Sequence, residues 1–183
     1  KKRKWITGIP ARNDVQCLRA ESDIVLTGAG TINEDLPSMN VRLKKIVASK
    51  AFDQPKRYVF SKDLALDWNA PFFNLPGQKV VVTSKRSLPK SAKNIKNLSL
   101  LHCKSKGRFL DPKNFIEKIS KFQINNILLE SGPNLLGSFG DSNLIDEFIF
   151  YISPEKLGSQ AEYFYKGKNK INFFDNKQFD IVE

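Results

Sequence analysis

Two short segments carry the residues that could do chemistry, and in each an apolar run ends at glycine. In the first, Ile24-Val25-Leu26-Thr27 runs into Gly28-Ala29-Gly30-Thr31. A strand that ends in such a turn can direct its backbone N–H groups at a phosphate. The glycine pair is one glycine short of the dinucleotide-binding fingerprint, and two glycines after a strand more often form an ordinary tight turn. Both interpretations stay open on this segment alone.

The second segment places the carboxylate of Glu130 at the end of an apolar run, followed by Ser131-Gly132-Pro133, where a helix is predicted to begin. The start of a helix has free N–H donors and the positive end of the helix dipole, so a pyrophosphate fits there. Gly137 would let a backbone or a ligand approach closely. Taken alone, such a segment is more often a plain strand-to-helix connection.

Basic residues precede the first of these turns on a predicted helix. Its small or apolar positions fall at helical spacing, and they are Ala11, Val15, Leu18 and Ser22. Arg12, Gln16 and Arg19 line the neighbouring face, so we expect one side of the helix to pack and the other to offer cations. Arg19 could instead pair with Asp23 four residues on, a contact worth only about 0.2–0.5 kcal/mol.

The rest of the chain must supply the elements that position these segments. Runs rich in β-branched and aromatic residues predict strands at Lys56–Phe60, Lys79–Thr83, 97–103, 124–130 and 144–153, and the alternation at 179–183 is also strand-like. Asp111 followed by Pro112 predicts a helix start. Phe115, Ile119 and Phe122 then recur at the spacing of one helix face, which predicts a helix packed on the core.

Strands that alternate with helices predict an α/β fold with a largely parallel sheet. Ligands of such sheets lie beyond the carboxyl ends of the strands. Both glycine turns fall at strand ends of this kind. We therefore expect the turns at Gly28 and Gly132 to share one cleft.

Composition predicts a single domain over residues 1–183, because 183 residues with 40% hydrophobic content suit one core. No run reaches the length of a membrane span and no secretory leader is visible, so we expect a cytoplasmic protein with no membrane partner. Cys17 and Cys103 are too few for a disulfide scaffold, and with His102 as the one histidine they support no metal site.

The net charge of +11 has two possible meanings. Lysines are scattered along the chain and no nucleic-acid-binding motif accompanies them, so we favour a lysine-rich solvated surface and expect no nucleic-acid partner. A basic surface also attracts anionic phosphorylated ligands. The charge alone does not separate these two kinds of partner.

Taken together, residues 5–42 and 125–158 closely resemble the reductase domain of the bacterial bifunctional riboflavin-biosynthesis protein RibD. The matching motifs include WITGIPARNDVQCLRAESDIVLTGAGTINEDLPSMNVR, ILLESGPNLLGSF and LIDEFIFYISPEKLG. The resemblance is weaker at 54–57 and nearly absent across 61–111. These motifs are specific to that family rather than common to reductases.

The resemblance implies a dihydrofolate-reductase-like fold, a mixed and mostly parallel sheet flanked by helices, here truncated at both ends. It implies NADPH as cofactor and reduction of 5-amino-6-(5-phosphoribosylamino)uracil to 5-amino-6-(5-phosphoribitylamino)uracil. It also implies a homodimer and, in the full protein, a zinc deaminase domain upstream. Alternatives are a related reductase acting on another pyrimidine or a pteridine, or a non-catalytic basic binding module.

The resemblance also assigns residues by motif position. Arg19, Met39, Arg42 and Glu130 correspond to substrate contacts, and the guanidinium groups suit a sugar phosphate. Glu130 is the nearest candidate for the catalytic proton donor, with water as the alternative. The expected cofactor residues are Trp5, Thr31, Asp35, Gly132, Pro133, Asn134, Leu135, Leu136, Gly137 and Ser138.

Two departures from the family pattern concern binding. The lysine and aspartate expected ahead of Trp5 are missing, since only Lys1 to Lys4 precede it. Ser61-Lys62 stands where an acidic residue followed by a hydroxyl residue is common, which leaves the cofactor's adenosine phosphate without an assigned partner. Thr83-Ser84-Lys85-Arg86 is a chemically sensible candidate for that contact.

Overall fold

The computed structural model describes residues 7–153, 158–159 and 161–168. Trp5, the residues before it and the strand-like run at 179–183 lie outside the described residues. The described helices are α1 (Ile9–Ala20), α2 (Ala29–Asp35), α3 (Lys44–Val47), α4 (Pro71–Asn74), α5 (Pro112–Ile119) and α6 (Pro133–Gly140), with a short 3-10 turn at Lys90–Ala92.

The described strands are β1 (Ile24–Gly28), β2 (Lys56–Phe60), β3 (Lys79–Thr83), β4 (Leu98–His102), β5 (Ser105–Lys106), β6 (Phe109–Leu110) and β7 (Ile127–Leu129). Five of them form one parallel sheet in the order β4-β3-β2-β1-β7. β5 and β6 form a separate antiparallel hairpin. The α/β class and the parallel sheet predicted from the alternation of elements are confirmed.

Apolar side chains fill both faces of this sheet, since successive residues of a strand point to opposite sides. Leu26 packs on one face in a cluster with Phe115 of α5 and Phe139 of α6. Val25 packs on the other face in a cluster with Phe72 of α4. β1 therefore lies in the middle of the core, and its carboxyl end is held on both sides.

The helix predicted after Asp111 forms as α5, with one error at its end. The carboxylate of Asp111 accepts a hydrogen bond from the backbone N–H of Lys113 at 3.0 Å, which caps the helix. Phe115 and Ile119 are buried, but the helix ends at Ile119 and Phe122 is 58% exposed. The prediction for Phe122 was wrong because helical spacing aligns side chains only as far as the helix continues.

The predicted packing side of α1 was also wrong. Gln16 and Arg19, expected to face outwards, are the buried residues of this helix, whereas Val15 and Leu18 are half-buried. Burial of the polar pair is possible because both side chains find hydrogen-bond partners on other segments. The helix therefore turns Gln16 and Arg19 into the molecule.

The strand predicted at 144–153 does not form. Within the described residues this segment joins no sheet, and the hydroxyl of Tyr151 instead donates to the carboxylate of Asp14 on α1 at 2.6 Å. The segment borders a groove of about 860 Å³ that half-buried hydrophobic residues of α1, α5 and β7 also line. A run of β-branched and aromatic residues indicates that a segment packs against apolar surface, but a strand also needs a hydrogen-bonding partner, and here the segment crosses to α1.

Three further facts concern the described part of the chain. It contains no helix long and apolar enough to cross a lipid bilayer. It contains no group of three or more His, Cys, Asp or Glu side chains placed to hold a metal ion. Cys17 and Cys103 are free thiols, and Cys103 is buried.

Candidate functional site

The two glycine turns lie side by side. β1 and β7 are hydrogen-bonded neighbours, with Leu26 opposite Leu129. A Cβ atom built on Gly132 would lie 4.0 Å from the Oγ1 atom of Thr31, and one built on Gly28 would lie 3.6 Å from Cδ2 of Leu135. The two turns therefore lie next to each other at one edge of the sheet, and that they share one cleft stays a prediction.

Helix α6 begins at the second turn without a side-chain cap. Gly132 is the N-cap residue and Pro133 occupies the first turn. The N–H groups of Asn134 and Leu135 fall in that first turn, where an α-helix supplies no carbonyl partner within itself. These donors lie at the positive end of the helix dipole and follow Gly132, which lies beside Thr31, and this arrangement suits an anionic group.

Gly137 faces the chain's own backbone. A Cβ atom at this position would lie 2.5 Å from the backbone N of Gly167 and 2.5 Å from the carbonyl carbon of Lys166. The backbone N–H of Lys166 also donates to the carbonyl of Pro133 at 3.1 Å. The close approach that the sequence predicted at Gly137 is therefore made by residues 166–167 on the flank of α6.

This contact gives a stability prediction. Gly137→Ala is expected to lower the free energy of unfolding by about 1–3 kcal/mol, because a methyl group would overlap backbone atoms that cannot move aside cheaply. Urea unfolding measures the change. Gly30→Ala is the matched control, since nothing lies within 4 Å of a Cβ there and alanine favours helix α2. Equal stability of the Gly137 variant and its parent would contradict the packing described.

Arg19 and Glu130 form a bidentate salt bridge at the end of β7. The Nε and Nη2 atoms of Arg19 donate to Oε1 and Oε2 of Glu130 at 2.6 and 2.7 Å. The side chains are 10% and 23% exposed, so water competes weakly for these hydrogen bonds. Nη1 of Arg19 donates to the carbonyl of Asn40 at 3.0 Å, and Nη2 also lies 3.7 Å from the sulfur of Met39.

The alternative pairing of Arg19 with Asp23 was wrong. The carboxylate of Asp23 accepts the backbone N–H groups of Asn125 and Asn126 at 2.6 and 3.1 Å, and these hydrogen bonds hold the pKa of Asp23 below its usual range. Asp23 thereby fastens the start of β1 to the segment that enters β7. Arg19 instead donates hydrogen bonds to Glu130 and to the loop that follows α2.

That loop, residues 36–42, brings Met39 and Arg42 to the ion pair. Met39 is buried, whereas Arg42 is exposed and donates to the hydroxyl of Ser38. Loss of hydration and then repulsion from Arg19 lower the pKa of Arg42, and attraction to Glu130 acts in the opposite direction. The substrate residues expected from the sequence, Arg19, Met39, Arg42 and Glu130, are thus brought into one cluster.

Three residues that sequence reasoning did not select for this site hold the loop by its backbone. Gln54 accepts from the N–H of Val41 and donates to its carbonyl, Gln16 accepts from the N–H of Arg42, and Arg57 donates to the carbonyl of Ser38. Their contacts are long-range and leave no spacing signal. A usable sequence signal for Gln16 was its place one turn before Arg19 on the same helix face.

The expected cofactor residues are placed unevenly. Thr31 is half-buried beside the second turn, whereas Asp35 is exposed at the last position of α2.

Among the described residues, two buried side-chain polar atoms lack a hydrogen-bond partner, the Oγ1 atom of Thr27 and the Oδ1 atom of Asn40. Thr27 precedes the first turn and Asn40 belongs to the loop that carries Arg42.

The segment proposed for the adenosine phosphate lies at the carboxyl ends of β2 and β3. The carbonyl of Lys62 accepts from the hydroxyls of Thr83 and Ser84 at 2.8 and 3.0 Å. Lys85 lies 3.8 Å from the carboxylate of Asp63, and both are largely exposed. The segment presents Lys85 and Arg86 at the same carboxyl edge of the sheet as the glycine turns, and Lys85 already lies near the carboxylate of Asp63.

Comparison with known proteins supplies the family. The chain matches the RibD C-terminal domain family over residues 1–180. It is 33% identical over 187 residues to the riboflavin biosynthesis protein RibD of Buchnera aphidicola subsp. Baizongia pistaciae. That alignment covers 97% of this chain and 50% of that protein. It is 31% identical over 185 residues to the 5-amino-6-(5-phosphoribosylamino)uracil reductase of Buchnera aphidicola subsp. Acyrthosiphon pisum. That alignment covers 96% of this chain and 87% of that protein.

A solved structure agrees with these matches. Acinetobacter baumannii RibD, form 1, superposes with a TM-score of 0.78 at 29% identity, over 93% of this chain and 46% of that chain. The chain therefore spans about half the length of two of these three relatives. The dihydrofolate-reductase-like α/β fold expected from the resemblance is confirmed.

Proposed function

We propose, from the premise that this chain belongs to the RibD C-terminal domain family, that residues 1–183 form a single reductase domain of riboflavin biosynthesis. Its reaction would be the NADPH-dependent reduction of 5-amino-6-(5-phosphoribosylamino)uracil to 5-amino-6-(5-phosphoribitylamino)uracil. The observation that carries this proposal is the meeting of two groups of residues at one edge of the sheet. The turns at Thr31 and Gly132 lie beside each other. Glu130, two residues before Gly132, forms the ion pair with Arg19 and attracts the charge of Arg42.

The residues at the two turns fit a nicotinamide dinucleotide. Uncapped N–H groups at the start of α6 suit its pyrophosphate, and Gly132 leaves room next to the hydroxyl of Thr31. The cofactor residues would be Thr31, Asp35, Gly132, Pro133, Asn134, Leu135, Leu136, Gly137 and Ser138, together with Trp5. Gly137 would contribute by allowing residues 166–167 to brace α6 rather than by touching the cofactor.

The substrate would lie against the cluster formed by Arg19, Met39, Arg42 and Glu130. Arg42 is the exposed guanidinium, and it suits the phosphate because its fork matches phosphate oxygens. Arg19 and Glu130 would act as one unit beside the sugar. Met39 would contact the substrate through its backbone or its apolar side chain.

When bound, NADPH supplies the hydride that reduces the ring-opened ribosyl carbon. The protein then has to fix the distance to that carbon, exclude water and hold the sugar by its phosphate. Both oxygens of Glu130 accept hydrogen bonds from Arg19, so Glu130 as arranged is an acceptor that can orient a sugar hydroxyl. The proton for the substrate nitrogen would come from water, either relayed by Glu130 or given directly.

Further parts of the proposal concern the whole protein. The family match and the half-length coverage of two relatives favour a zinc deaminase domain upstream in the full protein, whereas the third relative is matched over 87% of its length. We also propose that the protein is a homodimer and that it works in the cytoplasm, with neither nucleic acid nor membrane as a partner.

The test is a reductase assay with the purified protein. We expect NADPH absorbance to fall only when 5-amino-6-(5-phosphoribosylamino)uracil is present, and NADPH alone to raise the melting temperature in a saturable way. Consumption of NADPH with a different pyrimidine or a pteridine, and not with this compound, would favour the related reductase. Absence of saturable NADPH binding, together with RNA binding of steep salt dependence, would overturn the enzyme assignment.

A further inference from the structure

The loop that carries Met39 and Arg42 has a backbone that needs external support. Leu36 and Met39 have φ angles of 47° and 51°, in the left-handed region that side chains other than glycine disfavour. Residues held in such conformations persist only when the surrounding structure determines them. Something outside residues 36–42 must therefore keep this loop in place.

Gln54 provides the most complete of these supports. Its Oε1 atom accepts from the N–H of Val41 at 2.9 Å, and its Nε2 atom donates to the carbonyl of Val41 at 2.8 Å. One carboxamide thus satisfies both polar backbone groups of a residue that is 1% exposed. Pro55 follows Gln54 and is buried, and a residue before proline is restricted to extended conformations. The clamp is therefore built on a stiff segment.

The clamp acts next to the exposed guanidinium. Val41 is bonded to Arg42, and the N–H of Arg42 donates to Oε1 of Gln16 at 2.6 Å. The carbonyl of Asn40, on the other side of Val41, accepts from Arg19 at 3.0 Å. Because Val41 is fixed between these two contacts, the backbone of Arg42 has little freedom. The Cα position of Arg42, from which its exposed side chain extends, is therefore fixed as well.

We propose that Gln54 is a positioning residue for substrate binding, which it controls by clamping Val41 and thereby setting the place of Arg42. Both polar atoms of the Gln54 carboxamide are engaged by Val41, so Gln54 would act through the loop rather than on the substrate itself. The inference rests on the proposed function, because it assigns Arg42 to the substrate phosphate. It predicts an effect on substrate affinity that is separate from hydride transfer and from NADPH binding.

The test compares steady-state kinetics of the unaltered protein with those of Gln54→Ala and Gln54→Glu. We expect KM for the phosphorylated substrate to rise about tenfold in both variants, while kcat and KM for NADPH stay within about twofold. Gln54→Glu keeps the size and one acceptor but loses the donor to the Val41 carbonyl. It keeps the test open if the alanine variant folds poorly.

Asn33→Ala is the matched control. Asn33 clamps another loop in the same way, donating to the carbonyl of Ala65 at 3.0 Å and accepting from the N–H of Asp67 at 2.9 Å. That loop carries no residue of the proposed substrate site. We expect this variant to keep the substrate KM within about twofold of the unaltered protein.

A double-mutant cycle with Arg42→Ala tests whether Gln54 acts through Arg42. We expect the double variant to have the substrate KM of Arg42→Ala alone, within about twofold, because the clamp has no effect once the guanidinium is gone. Independent, additive losses would overturn the inference, as would an unchanged KM in Gln54→Ala or in Arg42→Ala. Failure of the unaltered protein to reduce the substrate with NADPH is a different result, which refutes the proposed function and the inference with it.

Discussion

Replacing Arg19 with alanine is expected to lower kcat/KM for 5-amino-6-(5-phosphoribosylamino)uracil about a hundredfold. Hydrogen bonds to charged groups are worth about 1.5–3 kcal/mol, and about 1.36 kcal/mol corresponds to a tenfold change. Arg19 donates to both oxygens of Glu130 and to the carbonyl of Asn40, so its loss frees the carboxylate and removes one anchor of the loop at residues 36–42. Steady-state kinetics with NADPH measure the change.

Three variants separate the ion pair from a general effect of charge. Arg19→Lys keeps the charge but cannot bridge both oxygens of Glu130, so we expect it to recover little activity. Glu130→Gln should impair activity similarly, and the double variant should lose far less than the sum of the two losses, because the pair acts as one unit. Lys113→Ala removes an exposed cation on α5 and should have no effect. Activity of Arg19→Ala near that of the unaltered protein would rule out a role for this pair.

Replacing Arg57 with alanine is expected to lower the free energy of unfolding by about 3–5 kcal/mol. The side chain is fully buried, and its guanidinium donates to the carbonyls of Ser38, Phe72, Leu75 and Pro76 at 3.1, 2.8, 3.0 and 2.6 Å. Alanine would leave a cavity and buried acceptors without donors. Burial lowers the pKa of Arg57 to about 10, so relief of this unfavourable charge burial offsets part of the loss. Urea unfolding gives the measurement.

The controls for Arg57 separate its charge from its fork of donors. Arg57→Lys retains a cation but reaches fewer carbonyls, so its stability should fall between that of the alanine variant and that of the parent. Arg86→Ala deletes an exposed guanidinium and should change stability by less than about 0.5 kcal/mol. If Arg57→Ala unfolded at the same urea concentration as Arg86→Ala, the hydrogen bonds from Arg57 to the four carbonyls would not contribute to stability.

Local pattern was enough to predict the sheet and the edge where the candidate site lies. β1, β2 and β3 follow from runs of β-branched and aromatic residues that suit a pleated, buried surface. α5 follows from its aspartate cap and the proline after it. Because the turns at Gly28 and Gly132 end two parallel strands, their placement at one edge also follows from the order of elements along the chain.

Other features depended on contacts between distant segments. Gln16 and Arg19 face inwards on α1 because Arg42 and Glu130, far along the chain, satisfy their hydrogen bonds. The segment at 144–153 was predicted as a strand from its β-branched and aromatic residues, but within the described residues it joins no sheet, because composition does not reveal whether a strand edge is free to pair. Phe122 is exposed because the helix stops at Ile119, before the repeat of side chains is complete.

By itself, the sequence determined the five strands of the parallel sheet, the helices α1, α5 and α6, and their order, because propensity, spacing and turn chemistry act between neighbours in the chain. Only the tertiary structure decided that Arg19 grips Glu130 and that Gln54 and Arg57 hold the backbone of residues 36–42. Each of those contacts joins side chains or carbonyls from different elements. A hydrogen bond of that kind depends on distances of about 3 Å that exist only after the sheet has formed.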